Sequence, residues 1–197
     1  MLKTTVILAT LFAISLPSHA ESLNWNKYRG SYVSVDTEEE TYSPDGFMLS
    51  STRMINDNIF GMIQYTAITD DAIIDGIETT SDTRYFDGAI GYKHTYKEST
   101  DFYGTFGFRS YQNDFMALAN DQSKNDIGYA TTIGARHLIA NKFEIHLNTT
   151  RVVFDGDGRW EHLFGLAFHQ NRNLSWEVSF VKSDYADKLI VGGSFGF

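Results

Sequence analysis

From Tyr28 to the C-terminus, hydrophobic and polar residues alternate with a period of two, and helical spacing is scarce. The clearest stretch is Asp101 to Arg109. Phe102, Gly104, Phe106 and Phe108 share one face there, with Tyr103, Thr105, Gly107 and Arg109 on the other. Arg84–Tyr96, Arg159–His169 and Leu174–Val181 repeat the pattern. Such alternation predicts strands whose two faces meet different surroundings. Ten strands are expected, near residues 27–35, 47–55, 59–68, 83–96, 101–111, 126–139, 143–154, 159–169, 174–182 and 188–197, with eight as the alternative count. The first three alternate poorly, and their facing stays open.

The connections give the strands an architecture. Every second link is tight: Asn56-Asp57-Asn58, Lys97 to Thr100, Ala140-Asn141-Lys142 and Gln170 to Asn173. The others, 36–46, 69–82, 112–125, 155–158 and 183–187, are mostly longer. Short turns on one side and longer loops on the other mark an up-and-down antiparallel barrel that crosses a membrane, with periplasmic termini and external loops. Most strands reach the roughly 9–11 residues that a tilted crossing needs. A soluble β-sandwich gives no reason for the regular alternation of link lengths.

The first twenty residues read differently. Met1-Leu2-Lys3 is a positive start, Val6–Ile14 an apolar run, and Ser18-His19-Ala20 a small-residue cleavage pattern, so residues 1–20 are expected to be a signal peptide. The run is too short to span a membrane as a helix, which takes about 20 residues. Residues 21–197 then form one barrel domain. The chain has no Cys, so disulfides do not hold it, and its Pro residues are confined to Pro17 and Pro44.

The formal net charge is −9, unevenly placed. Of the 25 acidic residues, 16 fall in the five longer links, among them Asp36, Glu38, Glu39, Glu40, Asp70, Asp71, Asp82 and Asp114, against the single base Lys124. This argues against nucleic acid as a partner, since recognition of its phosphate backbone needs an extended basic patch. It suits contact with divalent cations or basic ligands. Asp155-Gly156-Asp157-Gly158 resembles a fragment of a calcium loop, although two Asp-Gly pairs equally make a hairpin turn. With the aromatic faces toward lipid, Asp87, Lys93, Arg109, Arg136, Glu144, His146, Glu161 and Glu177 point into the lumen. There they form a salt-bridged plug or line a narrow pore. Trp25, Tyr28, Phe102, Phe143, Trp176 and Phe197 are expected at one membrane interface, and Tyr65, Phe86, Tyr129, Trp160, Phe180 and Tyr185 at the other.

No catalytic or cofactor-binding motif stands out. His162 is the single mature-chain His near the external rim, with Asp155, Asp157 and Glu161 as its local carboxylates. That leaves a rim hydrolase as the third reading, after a surface-interaction or envelope-structural barrel and a small pore.

The last strand, KLIVGGSFGF (Lys188–Phe197), alternates and ends on an aromatic. It resembles the C-terminal strand of the small outer-membrane β-barrel superfamily, the OmpA/OmpX-like porin-family group. Asp45-Gly46-Phe47-Met48-Leu49 and Gly91-Tyr92-Lys93-His94 resemble motifs of its quorum-factor-like subgroup. The resemblance implies an outer-membrane location and contact with outer-membrane lipid and lipopolysaccharide. It also implies that Phe195 and Phe197 are read by the barrel-assembly machinery. A monomer without a cofactor is expected.

Overall fold

The computed structural model describes residues 23–36, 44–74, 77–117 and 122–197. The expected signal peptide and the acids Glu38, Glu39, Glu40, Asp75 and Asp121 lie outside them. Among the described residues the chain forms ten strands: β1 (Lys27–Asp36), β2 (Asp45–Met54), β3 (Ile59–Ile74), β4 (Ile77–Lys97), β5 (Thr100–Ala117), β6 (Gln122–Ile139), β7 (Phe143–Phe154), β8 (Asp157–His169), β9 (Leu174–Ser183) and β10 (Asp187–Gly196). Each pairs antiparallel with its neighbours in sequence. Pairing of β1 with β10, from Lys27↔Gly196 to Asp36↔Asp187, closes the sheet into a barrel. The strand count is therefore ten, and the eight-strand alternative is set aside.

Alternation sorts the side chains as the sequence predicts on β4–β10. Phe102, Phe106 and Phe108 are exposed on the outer wall, as are Ile90, Ile127 and Ile133, while Asp87, Asp101 and Thr105 are buried inside. Soluble proteins rarely leave so broad an apolar surface uncovered. A belt of this kind is what bilayer hydrocarbon covers. On β1–β3 the facing left open by the sequence is resolved. Tyr28, Tyr32, Phe47, Leu49 and Ile63 point out, while Val33, Val35, Met48 and Ile68 pack together inside, against Tyr85, Ala186 and Ile190. Both faces of these strands are apolar toward the loop end, which erased the polarity signal.

Two links expected as loops, 69–82 and 112–125, are largely strand. β3 and β4 stay in register to Ile74↔Ile77, and β5 and β6 to Phe115↔Gln122. Here the hydrophobic alternation stops, but cross-strand bonds take over. Thr69 donates to Asp82 and Thr80 to Asp71, each at 2.7 Å, and Ser123 donates to Asp114 at 2.7 Å. Asn113 reaches both Ser81 and Thr83 across the inner face. The 21-residue β4 is roughly 70 Å long at about 3.3 Å per residue. Tilted about 40° it rises roughly 50 Å, twice the apolar belt of about 25 Å, so its far half stands clear of the hydrocarbon.

At Asp155-Gly156 the chain turns with φ of 45° and 89°, the positive pair of a two-residue hairpin turn. Asp155–Gly158 thus forms a tight hairpin turn, and among the described residues no cluster of three or more His, Cys, Asp or Glu side chains is placed to hold a metal ion.

Toward the end carrying the turns, inward-facing Gly91 sits beside the ring of Phe60, which is 1% exposed. A Cβ at residue 91 would run into that ring. Gly91→Val should lower barrel stability by about 1–3 kcal/mol, as overpacking does. Phe60→Leu in the same chain should recover much of it. Urea unfolding in lipid vesicles, followed by Trp fluorescence, reads both. Equal midpoints for wild type and Gly91→Val would refute the packing account.

Candidate functional site

The interior is bridged from wall to wall at two heights. At the turn end, the segment before β1 folds back into the lumen. Leu23 is buried against Leu138, and Trp25 is 6% exposed. Its indole N–H donates to Asp101 Oδ2 at 2.6 Å. The ring packs on Phe60 and Tyr103, with centroids 4.5 and 5.3 Å away, and beneath the Arg136 guanidinium at 4.5 Å. Trp25 was expected in an interfacial girdle. It lies inside because it precedes the first ladder pair, so strand alternation does not fix its direction, and its N–H finds a buried acceptor.

Arg136 holds this layer together. Its Nε and Nη2 donate to Glu144 at 2.6 and 2.9 Å, and Nη2 also donates to the Asn24 carbonyl at 3.0 Å. The tight Ala140-Asn141 turn, with φ of 51° and 59°, sets β6 beside β7 and brings the two residues together. Their side chains are 4% and 3% exposed, and His169 Nε2 lies 3.3 Å from Glu144. Glu177 takes Arg29 and Lys27 on its two oxygens and a hydrogen bond from Ser194 at 3.0 Å. Lys93 lies 3.8 Å from Asp101.

Farther up, Arg109 makes the second bridge. Asp87 stands opposite it in the β4–β5 ladder and accepts from Nε at 2.6 Å, while Nη1 reaches across to both oxygens of Glu161 on β8 at 3.0 Å. Lys188 Nζ lies 3.6 Å from Glu161, and the Tyr85 ring lies within 6 Å of both cations. Along the lumen, touching both layers, runs a cavity of about 210 Å³, lined among others by Thr105, Thr132, His146 and Asn148 and, toward the loop end, by Val33 and Ile190. The Tyr103 hydroxyl is 2.5 Å from His146 Nε2, and Asn148 donates to Tyr103 at 3.2 Å.

All eight expected lumen residues face inward in the structure. They separate into a turn-end group (Lys93, Arg136, Glu144, Glu177), an upper group (Asp87, Arg109, Glu161), and His146 between them. Sequence reasoning missed Trp25, Lys27, Arg29, Asp101 and Lys188. The last was legible, since it alternates with outward Leu189 and Val191. The rim constellation around His162 does not assemble. His162 faces outward, hydrogen-bonded to Thr149 at 3.0 Å and stacked on Trp160, while neighbouring Glu161 turns inward to Arg109. Adjacent strand residues point to opposite faces, so these two cannot share a site. Phe195 and Phe197 lie on the outer wall, where Phe197 stacks on Tyr28 at 4.9 Å.

Removing one partner of a buried ion pair costs about 3–5 kcal/mol, whereas replacing both with apolar groups costs far less. Arg136→Met should therefore destabilise the barrel by about that amount, and Arg136→Met with Glu144→Leu should recover most of the loss. Urea-unfolding midpoints of the three proteins test this. A double variant no better than the single would show that the pair is not the coupled unit.

Three solved barrels share the fold. The outer membrane protein OprG from Pseudomonas aeruginosa is 11% identical, covering 90% of this chain and 98% of its own, with a TM-score of 0.51. The NanC porin is 11% identical over 87% and 100%, and the β domain of the Bordetella autotransporter BrkA 9% over 89% and 100%, each at 0.51. No curated protein matches the chain. Residues 6–171 match the family described as outer membrane protein beta-barrel domain, and the closed ten-strand barrel with its apolar belt is the structure such a protein needs: the chain belongs to that family of outer-membrane barrels.

Proposed function

We propose that this protein is a closed outer-membrane barrel that works through its acidic loop end, a surface for divalent cations or basic partner segments, and carries no solute through its lumen. The observation behind this is the pair of wall-to-wall bridges, Arg136–Glu144 with Trp25 below and Asp87–Arg109–Glu161 above. Residues 1–20 are a signal peptide removed on export, and the mature domain runs from Glu21 to Phe197. The termini and tight turns face the periplasm. Phe195 and Phe197 serve as the signal for barrel assembly.

Beyond the belt, Asp71, Asp82 and Asp114 stand on paired strands, where hydroxyl donors fix them in place. Ordered carboxylates on a rigid ribbon lose less entropy on engaging a partner than carboxylates on a mobile loop. The cavity along the lumen supports a second reading, a narrow pore, which requires both bridges to part. A rim enzyme is disfavoured by the opposite facing of His162 and Glu161.

In planar bilayers the wild-type barrel should show no steady conductance. Trp25→Ala with Arg109→Ala, which removes an element from each bridge, should produce discrete openings. Steady wild-type current altered by Arg109→Ala would establish the pore reading instead.

Asp71→Asn, Asp82→Asn and Asp114→Asn together should weaken binding of poly-lysine to barrel-bearing vesicles several-fold at low salt. The difference should vanish near 1 M salt, where screening acts over about 3 Å. Poly-lysine binding equal for both proteins at low salt would sink the surface-interaction proposal.

A further inference from the structure

On the outer wall of β5–β9, away from the lumen, lies a groove of about 700 Å³. Its walls are Phe102, Ile133, Leu147, Phe164 and Phe180, and it reaches Thr149, His162 and Lys182 at its loop-side end. The ladders place Thr149 opposite His162 and His162 opposite Lys182, so these three form one polar row directly above the apolar rows Leu147–Phe164–Phe180 and Ile145–Leu166–Val178. One row higher, Arg151 stands opposite Trp160.

Depth makes the row informative. From Trp176 to Lys182 the chain climbs six residues, about 20 Å of strand and roughly 15 Å along the axis at the usual tilt. Leu174 lies one row below Trp176. The cationic heads thus approach the upper edge of an apolar belt about 25 Å tall, and the long stem of Lys182 lets its ammonium reach farther up.

The cations are not equally engaged. Lys182 is 3.4 Å from Asp187 with its side chain 71% exposed, and Asp184 accepts the Trp160 backbone N–H at 2.8 Å. Arg151 is exposed and lies over the Trp160 ring at 5.3 Å, with its guanidinium in the space a Cβ at residue 158 would take. No carboxylate lies within ion-pair distance of it among the described residues. Trp160 in turn stacks on His162, with planes 6° apart. A guanidinium held on a ring, with open N–H edges at the level of lipid headgroups, is a pre-positioned phosphate donor. The groove beneath it accepts a hydrocarbon chain.

We infer that this face is a binding site for one phosphate-bearing membrane lipid, its headgroup on Arg151 and Lys182 and an acyl chain along Leu147, Phe164 and Phe180. The site rests on the barrel being embedded in a membrane and is independent of whether the lumen is closed.

Native mass spectrometry of the folded barrel in detergent tests this directly. Phosphatidylglycerol and phosphatidylcholine with identical chains serve as probes, and glycerol-3-phosphate as the free headgroup. The wild type should bind one phosphatidylglycerol at least tenfold more tightly than phosphatidylcholine, and glycerol-3-phosphate should not compete at equal concentration. Arg151→Gln with Lys182→Gln should abolish the preference. Arg84→Gln should keep it, since that outward cation is already held by Asp82 and Asp114. Equal affinity of the wild type for both lipids overturns the site without any variant. So does an undiminished preference in the double variant, full competition by the free headgroup, or a dimer that excludes lipid from this face.

Discussion

Backbone satisfaction governs this structure. Within hydrocarbon no water is available for an N–H or C=O group, so each strand must find two partners and the sheet must have no edge. The β1–β10 ladder meets that demand, and everything else follows from the closure it imposes. Once the wall is closed, period-two alternation commits half of every strand to lipid and half to the interior. Exposed Phe106, Ile127 and Ile133 are then the solvated side of the fold, because their solvent is the bilayer. At mid-depth of the belt, charged residues have only the inside to go to, and there they pair.

Ten strands make the interior wider than side chains from facing walls readily fill, since barrel diameter grows with strand number. The protein meets this with two devices. At the upper level a long guanidinium, Arg109, spans from Asp87 on its own side to Glu161 across the lumen. At the turn end a stretch of main chain supplies bulk: Trp25 occupies the centre, and the Asn24 carbonyl takes a third Arg136 hydrogen bond. Arg136 thus acts on wall and stopper together. Its guanidinium is neutralised by Glu144, covered by the indole and capped by a backbone oxygen, which is the degree of satisfaction a buried charge requires.

The legibility of the sequence followed the same physics. Where one face met lipid and the other met charge, as on β5 and β9, polarity alone predicted strand, facing and the lumen positions Arg109 and Glu177. Where the interior turned apolar, around Val33, Val35 and Met48, both faces looked alike and the facing was lost, and Lys27 and Arg29 were lost with it. Where strands left the belt, as around Thr69–Asp71, Thr80–Asp82 and Asn113–Met116, the regular apolar–polar alternation broke down and strand read as loop. The ladder there is carried by hydroxyl–carboxylate and amide–hydroxyl pairs, and these leave no mark in hydrophobic periodicity. The Arg109–Glu161 pair was not readable, because it joins strands that are not neighbours in the sheet, whereas Asp87 is Arg109's own ladder partner.

The same accounting explains why the outer wall of β7–β9 breaks the pattern in a way that carries information. A lipid-facing cation at mid-depth is costly, about 2–4 kcal/mol for Arg or Lys, and the cost falls to about 0–1 near the interface. Arg151 and Lys182 therefore belong near the belt's upper edge, the level that the climb along β9 from Trp176 approaches. Edge location alone makes a cation tolerable. It does not explain why Arg151 lies on Trp160 against a glycine, or why an apolar groove ends at the row beneath it. Fixing a guanidinium in one pose costs side-chain entropy, and the ring repays only part of that at an exposed site. A headgroup phosphate arriving at the same edge, with its acyl chain in the groove, supplies the missing part, since each half of one lipid then meets the surface that suits it.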